Sequence, residues 1–200
     1  MEEKNKKYVL KLKKPYMFEG TEYEEIDLSG IEQMTVNDAI DIQAMLFSEQ
    51  EVAASVLTET TTAFARMVAW KATGLPIEFF KMMPRGMNKA VTRAVQGLLN
   101  AKNGDENHVL KLEKPYTFKD KTYTEIDLTG LFNMNSMNES TAENKMVYRG
   151  FVVTETTTNY YYACCMASMA TGKPEEFFTG LPFIETIKLK NAVNSEDFFE

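Results

Sequence analysis

Apolar and polar residues alternate along Tyr8-Val9-Leu10-Lys11-Leu12-Lys13, placing Tyr8, Leu10 and Leu12 on one side of the chain and two lysines on the other. A period of two is that of a strand with one buried and one mostly solvated face. A second alternation, Glu25-Ile26-Asp27-Leu28, follows Glu19-Gly20, where glycine tolerates the positive φ of a tight turn. The two arms predict a β-hairpin in which Ile26 and Leu28 are the cross-strand partners of Leu10 and Leu12. Pro15 cannot donate to a ladder, so it marks an edge or a bulge. A lone hairpin is only marginally stable, and the residues that follow must cover its apolar face.

The hairpin is written twice. Between Val9–Gly30 and Val109–Gly130, at an offset of 100, fourteen of twenty-two aligned positions are identical without a gap. Such self-similarity marks an internal duplication. After each hairpin the period changes to that of helices. Thr35-Val36-Asn37-Asp38 and Ser136-Met137-Asn138-Glu139 both have the form of a capping box, and Val36, Ile40, Ala44 and Phe47 then share one helical face. In the second copy Ser140, Thr141, Glu143, Asn144 and Lys145 offer little apolar surface, which predicts a short or frayed helix.

Thr58-Glu59-Thr60-Thr61-Thr62 recurs as Thr154-Glu155-Thr156-Thr157-Thr158, now at an offset of 96, which implies that four positions are missing from the second copy. A helix is expected from these threonines to Gly74 and Gly172, with Phe64, Met67, Val68 and Lys71 along one stripe. Gly74 with Pro76, and Gly172 with Pro174, have the asymmetry of a tight helix-to-helix corner, with Phe79-Phe80 and Phe177-Phe178 as core plugs beneath it. A last helix starts near Pro84, with Met87, Val91, Ala94, Val95 and Leu98 at helical spacing. Pro182, Phe183, Ile184 and Ile187 stand in its place in the second copy.

The reading is therefore an α+β chain of two tandem repeats, each a β-hairpin followed by three or four short helices. Residues 1–99 form the first repeat, the polar stretch 100–107 is a linker, and residues 108–200 form a second, partly degenerate repeat. The repeats are expected to pack together as a pseudo-twofold pair.

Composition narrows the chemistry. With 44% hydrophobic and 26% charged residues the sequence is that of a soluble globular protein. The net charge of −7 is spread over both halves, with 12 basic and 14 acidic residues in the first hundred and 10 and 15 in the second. No basic stripe suited to nucleic acid is present. The apolar stretch from Tyr160 to Ala170 is about half the length of a membrane span. Glu2-Glu3-Lys4-Asn5-Lys6-Lys7 is not a signal peptide, and only Cys164 and Cys165 carry thiols, so a reducing cytoplasm is expected.

Reactive constellations are weak. His108, the one histidine, stands where the first copy has Tyr8, as expected of a strand-end contact. Cys164 and Cys165 align with Val68 and Ala69 and read as small buried hydrophobes, without the ligand spacing of a zinc site. Glu25, Asp27, Glu125 and Asp127 could suggest acid–base or calcium chemistry, but a solvated strand face accounts for them. No phosphate loop or nucleophile motif occurs, and neither an enzyme nor a cofactor or metal is expected.

Methionine is abundant, at 13 residues, and Met82, Met83 and Met87 cluster around Pro84. Methionine fills core gaps, and it also lines surfaces that accept varied apolar partners. These three are the candidate partner-binding residues. On that reading Met83→Glu would weaken partner capture and leave the fold intact.

The unit resembles the tail assembly chaperones of contractile-tailed bacteriophages and prophages. The resemblance rests on Val9-Leu10-Lys11-Leu12 with Lys14-Pro15, on Tyr23 with Glu25-Ile26-Asp27-Leu28, and on Thr73-Gly74-Leu75-Pro76 before a short helix. It covers nearly all of the first copy and less of the second. It implies a non-enzymatic protein of the host-cell cytoplasm, absent from the finished particle, which binds and solubilises the tape-measure protein by a helix-in-groove mode and helps tail-tube subunits polymerise. The tail-tube protein and self-association are further partners on this reading; nucleic acid and membrane are not. Family members are usually single copies, so the tandem arrangement departs from the pattern. A structural tail or baseplate component, whose hairpin extends a partner's sheet, is the alternative.

Overall fold

The structure is a computed structural model that describes residues 7–49, 53, 57–99, 108–151 and 156–195. The 100–107 linker, together with Thr154 and Glu155, lies outside them. The chain is α+β, with two antiparallel hairpins each followed by helices. Strands β1 (Val9–Phe18) and β2 (Thr21–Asp27) join through Glu19 and Gly20, whose φ values of 48° and 80° are those of the primed two-residue turn that matches strand twist.

Leu10 faces Ile26 as expected, but Leu28 does not face Leu12. Its amide donates to the Tyr8 carbonyl at 2.9 Å, because in an antiparallel pair a residue beyond Ile26 must meet one before Leu10. Between the Lys11–Glu25 and Tyr16–Tyr23 pairs β1 carries the longer segment, a bulge that contains Pro15. The next elements of the first repeat are a 3₁₀ turn at Ser29–Gln33, α1 (Val36–Ser48), a 3₁₀ turn at Thr58–Thr60, α2 (Thr62–Thr73), α3 (Ile77–Lys81) and α4 (Arg85–Leu99). The second repeat has β3 (Val109–Phe118), β4 (Lys121–Asp127), α5 (Ser136–Tyr148), α6 (Tyr160–Thr171), α7 (Glu175–Thr179) and α8 (Thr186–Val193), with 3₁₀ turns at Thr129–Asn133, Thr156–Thr158 and Phe183–Glu185.

Helix α1 starts with the expected capping box. Asp38 accepts from the Thr35 amide at 2.7 Å and pairs with Lys71 at 2.9 Å, linking α1 to α2. Burial works against the Asp38 charge, yet these partners hold its carboxyl below the usual range. The second box is shifted by one residue: Asn135 is the cap, and Asn138 returns the bond at 3.0 Å. Helix α5 is as long as α1 and is not frayed, although it buries only Ala142 and Met146. The Asn135 cap, and a Lys145–Glu175 ion pair to α7, secure it.

The threonine repeat is a slipped match. In the first repeat a 3₁₀ turn at Thr58–Thr60 precedes the α2 cap Thr61, which accepts from the Phe64 amide. In the second, the turn is Thr156–Thr158 and the cap is Asn159, accepting from Tyr162 at 2.9 Å. The structural offset is therefore 98, so two positions are missing and not four, and it holds through Gly74/Gly172, Phe79/Phe177 and Pro84/Pro182. Cys164 and Cys165 then stand where the first repeat has Arg66 and Met67, not Val68 and Ala69.

Each repeat centres on the first phenylalanine of its pair. Phe79 meets the rings of Tyr16, Phe18, Tyr23 and Phe80 edge-on, with centroids 4.8 to 5.3 Å apart, and Phe177 repeats the cluster with Tyr116, Phe118, Tyr123 and Phe178. Such contacts contribute about 0.5–1.5 kcal/mol each beyond the area they bury. The other end of the helical layer is set by a glycine: a Cβ on Gly30 would lie 1.9 Å from the Ala72 carbonyl oxygen, and one on Gly130 2.0 Å from that of Ala170. The 3₁₀ turn after each hairpin thus lies directly on the last turn of α2 or α6.

The repeats share one core, but not as a pseudo-twofold pair. The Val36 amide donates to the Leu181 carbonyl at 2.8 Å, and the Phe183 amide to the Met34 carbonyl at 3.0 Å. A twofold axis would demand the same bonds from Ser136 to Met83 and from Arg85 to Met134, and among the described residues neither exists. Buried Gln43 on α1 completes the seam. Its Nε2 donates to Thr58 Oγ1 at 3.2 Å and to the Thr158 carbonyl at 2.9 Å, while its Oε1 accepts from the Tyr160 amide at the start of α6. Tyr160 stacks obliquely on Phe64 and donates to Glu59, which also pairs with Lys190.

Gly30→Ala should lower the thermal midpoint by the several degrees expected of an overpacked contact costing about 1–3 kcal/mol. Gly97→Ala, on open helix surface, should raise it by the equivalent of about 0.5–1 kcal/mol. Calorimetry of both variants should show one transition, since the repeats share a core; two separated transitions would contradict the seam.

Candidate partner-binding site

Helix α4 lies against β1 and leaves a groove of about 570 Å³ between them. Its floor is apolar, formed by Leu10, Leu12, Pro84, Met87 and Ala90. Its rim is cationic: Lys11, Lys13 and Lys14 project from β1, and Lys89 and Arg93 from α4. All five are exposed, and among the described residues none is paired with a carboxylate.

The three sequence-predicted methionines do not share one environment. Met87 is half-buried and lines the groove. Met82 is 73% exposed on the corner after α3. Met83 is 6% exposed and belongs to the core, so it cannot be a contact surface in the folded chain. The reason is local: the α3–α4 corner turns Met83 inward, as it does Leu181 in the second repeat. Sequence reasoning missed the strand side of the groove, because Leu10 and Leu12 read as ordinary core positions. The signal was available in the alignment after Pro84 and Pro182, where Met87 and Ala90 oppose Glu185 and Lys188.

In the second repeat those two residues close the corresponding space. Glu185 Oε1 accepts from the Glu113 amide at 2.7 Å, and Lys188 Nζ donates to the Lys111 carbonyl at 3.0 Å and to Glu113 Oε1 at 2.8 Å. The Lys188 ammonium draws the Glu113 carboxyl below its usual range. Leu110 is fully buried beneath this latch, whereas Leu10 is half-exposed.

The other candidate groups have structural places. Asp27 and Asp127 each accept from the amide two residues on at 2.9 Å, forming Asx turns that lead from the hairpins into the 3₁₀ turns. The His108 carbonyl accepts from Leu128 as the Tyr8 carbonyl does from Leu28, and the imidazole meets Phe132 edge-on at 4.6 Å. Cys164 and Cys165 are both buried. Burial, aided by Glu175, pushes the Cys165 thiol up to about 11, and Cys164 is raised further. Such thiols stay protonated at neutral pH, the opposite of an activated nucleophile. Among the described residues no cluster of three His, Cys, Asp or Glu is arranged to hold a metal, and no helix is long and apolar enough to cross a membrane.

Comparison with protein-family models, with curated proteins and with solved structures returns no match.

Met83→Glu should abolish the cooperative melting transition, while Met82→Glu should leave it within about a degree of wild type, as usual for exposed positions. In alkali the unfolded Cys165 thiol ionises near 9.0, whereas the folded one holds its proton to about 11. Its contribution to stability is therefore complete below pH 9 and is lost as pH rises through 11. Urea midpoints measured across that window should fall less steeply in Cys164→Ala/Cys165→Ala than in wild type.

Proposed function

We propose that this chain is a phage-type tail assembly chaperone that binds and solubilises the tape-measure protein and helps tail-tube subunits polymerise around it, acting in the host cytoplasm without catalysis. The observation that carries the reading is exposed apolar area on the first repeat: the groove floor that includes Met87, and Met82, 73% exposed at the corner two residues before the groove's Pro84. A chaperone for long apolar helices needs adaptable contact area that its own chain does not fill, and thioether side chains supply it. Part of the stretches that carry the family resemblance supports the same reading, because Leu10, Lys11, Leu12 and Lys14 fall on the part of β1 that lines the groove.

The alternative, a structural tail or baseplate component, is favoured by one observation: the first hairpin is only two-stranded, and β1, which pairs with β2 alone, has no counterpart of the side-chain latch that closes β3, so its outer edge can extend another sheet. Mass spectrometry of purified virions separates the two, since a structural component is present and a chaperone absent. On the chaperone reading, co-expression should raise the soluble fraction of the tape-measure protein severalfold, and Met82→Glu should reduce that gain without altering the melting transition. Equal solubility with and without the chain would reject the assignment.

A further inference from the structure

We infer that the groove between β1 and α4 is a docking site for an extended peptide segment of a partner protein, one whose apolar side chains are flanked by carboxylates and whose backbone adds to β1 as a further strand. The inference goes beyond the tail-assembly reading and does not need it.

The second repeat shows what this backbone edge binds. At the same register of β3, the Glu113 amide receives a carboxylate and the Lys111 carbonyl receives an ammonium, both from the helical segment that follows Pro182. The counterparts of those side chains in the first repeat are Met87 and Ala90. Alanine has no hydrogen-bonding group in its side chain and methionine only a thioether, so neither can supply the latch. Strand β1 pairs with β2 in the register in which β3 pairs with β4, so the Lys13 amide and Lys11 carbonyl correspond to the outward groups of Glu113 and Lys111, and no counterpart of the Glu185–Lys188 pair meets them. The half-exposed Leu10 marks the space left where Leu110 is sealed.

The shape and charge of the site select the occupant. Strand β1 is paired to β2 along one side only, and its groove-facing amides and carbonyls match the spacing of another strand. Pairing is confined to the part of β1 before Pro15, which has no N–H to give. Alternate side chains of an added strand would point at Leu10, Leu12, Met87 and Ala90. The five cations on the rim repel one another within a chain of net charge −7, and a partner's carboxylates would neutralise them. The latch applies the same logic with a carboxylate of the chain itself.

The test uses the full chain and a fluorescein-labelled eight-residue probe with two acidic residues on either side of an alternating valine–phenylalanine core. Anisotropy should show saturable binding that weakens with salt. Met87→Glu/Ala90→Lys, which installs the second repeat's latch, should lower affinity at least about tenfold. Because Met87 is half-buried, the surface pair Lys89→Glu/Arg93→Glu serves as a second variant, with the same loss expected and an unchanged melting transition. Any of several results overturns the assignment: full-strength binding by both variants, equal binding of a lysine-flanked probe, equal binding of a probe whose core is interrupted by proline, or no saturation up to about 1 mM. Should the wild-type chain bind the probe only after deletion of residues 196–200, the occupant is the chain's own acidic and aromatic end, and the foreign-partner assignment falls.

Discussion

Two backbone hydrogen bonds, from Val36 to Leu181 and from Phe183 to Met34, bind the corner of the second repeat to the start of α1 in the first. Much of the structure follows from them. They bring Tyr160 and the amino end of α6 under Gln43, whose side-chain amide bonds Thr158 and Tyr160 across the seam and Thr58 within its own repeat. A buried amide so fully satisfied rigidifies a joint, and one left half-satisfied would cost about 1–3 kcal/mol. They also hold the chain after Pro182 where Glu185 and Lys188 can reach β3. The latch of one repeat thus depends on its docking against the other.

Duplication freed the two copies to diverge at equivalent positions. The aromatic clusters around Phe79 and Phe177, and the glycines that admit the Ala72 and Ala170 carbonyls, are unchanged, because each is a steric necessity of the unit. The residues after Pro84 and Pro182 carry no such burden. One copy has used them to close its strand edge with an ion pair, and the other has left that edge greasy and positively rimmed. The scaffold is held in common, and the surfaces have become different.

The hairpins, the α1 capping box and the α2–α3 corner were legible in the sequence because their signals are local: alternation, a reciprocal Thr–Asp spacing, and glycine before proline. What was not legible depends on contacts distant in sequence. Repetitive threonines offered two registers, and only the packing of α2 and α6 chooses the offset of 98. The cap of α5 moved to Asn135 because asparagine satisfies the first-turn amides as well as serine does. Composition says nothing of whether Met83 points in or out at a corner, and the half-exposed Leu10 looks like core until the neighbouring helix is placed.

The seam also bears on how the molecule ends. A contact that is not reciprocal leaves each repeat with an unused face, and like faces repeated along a series of subunits would string them into an open filament. Here the leftover faces have been altered: Glu143 stands in place of Gln43, and Arg85 in place of the buried Phe183. The amide clasp and the aromatic plug therefore have no equivalents at the positions a repeated joint of this kind would use.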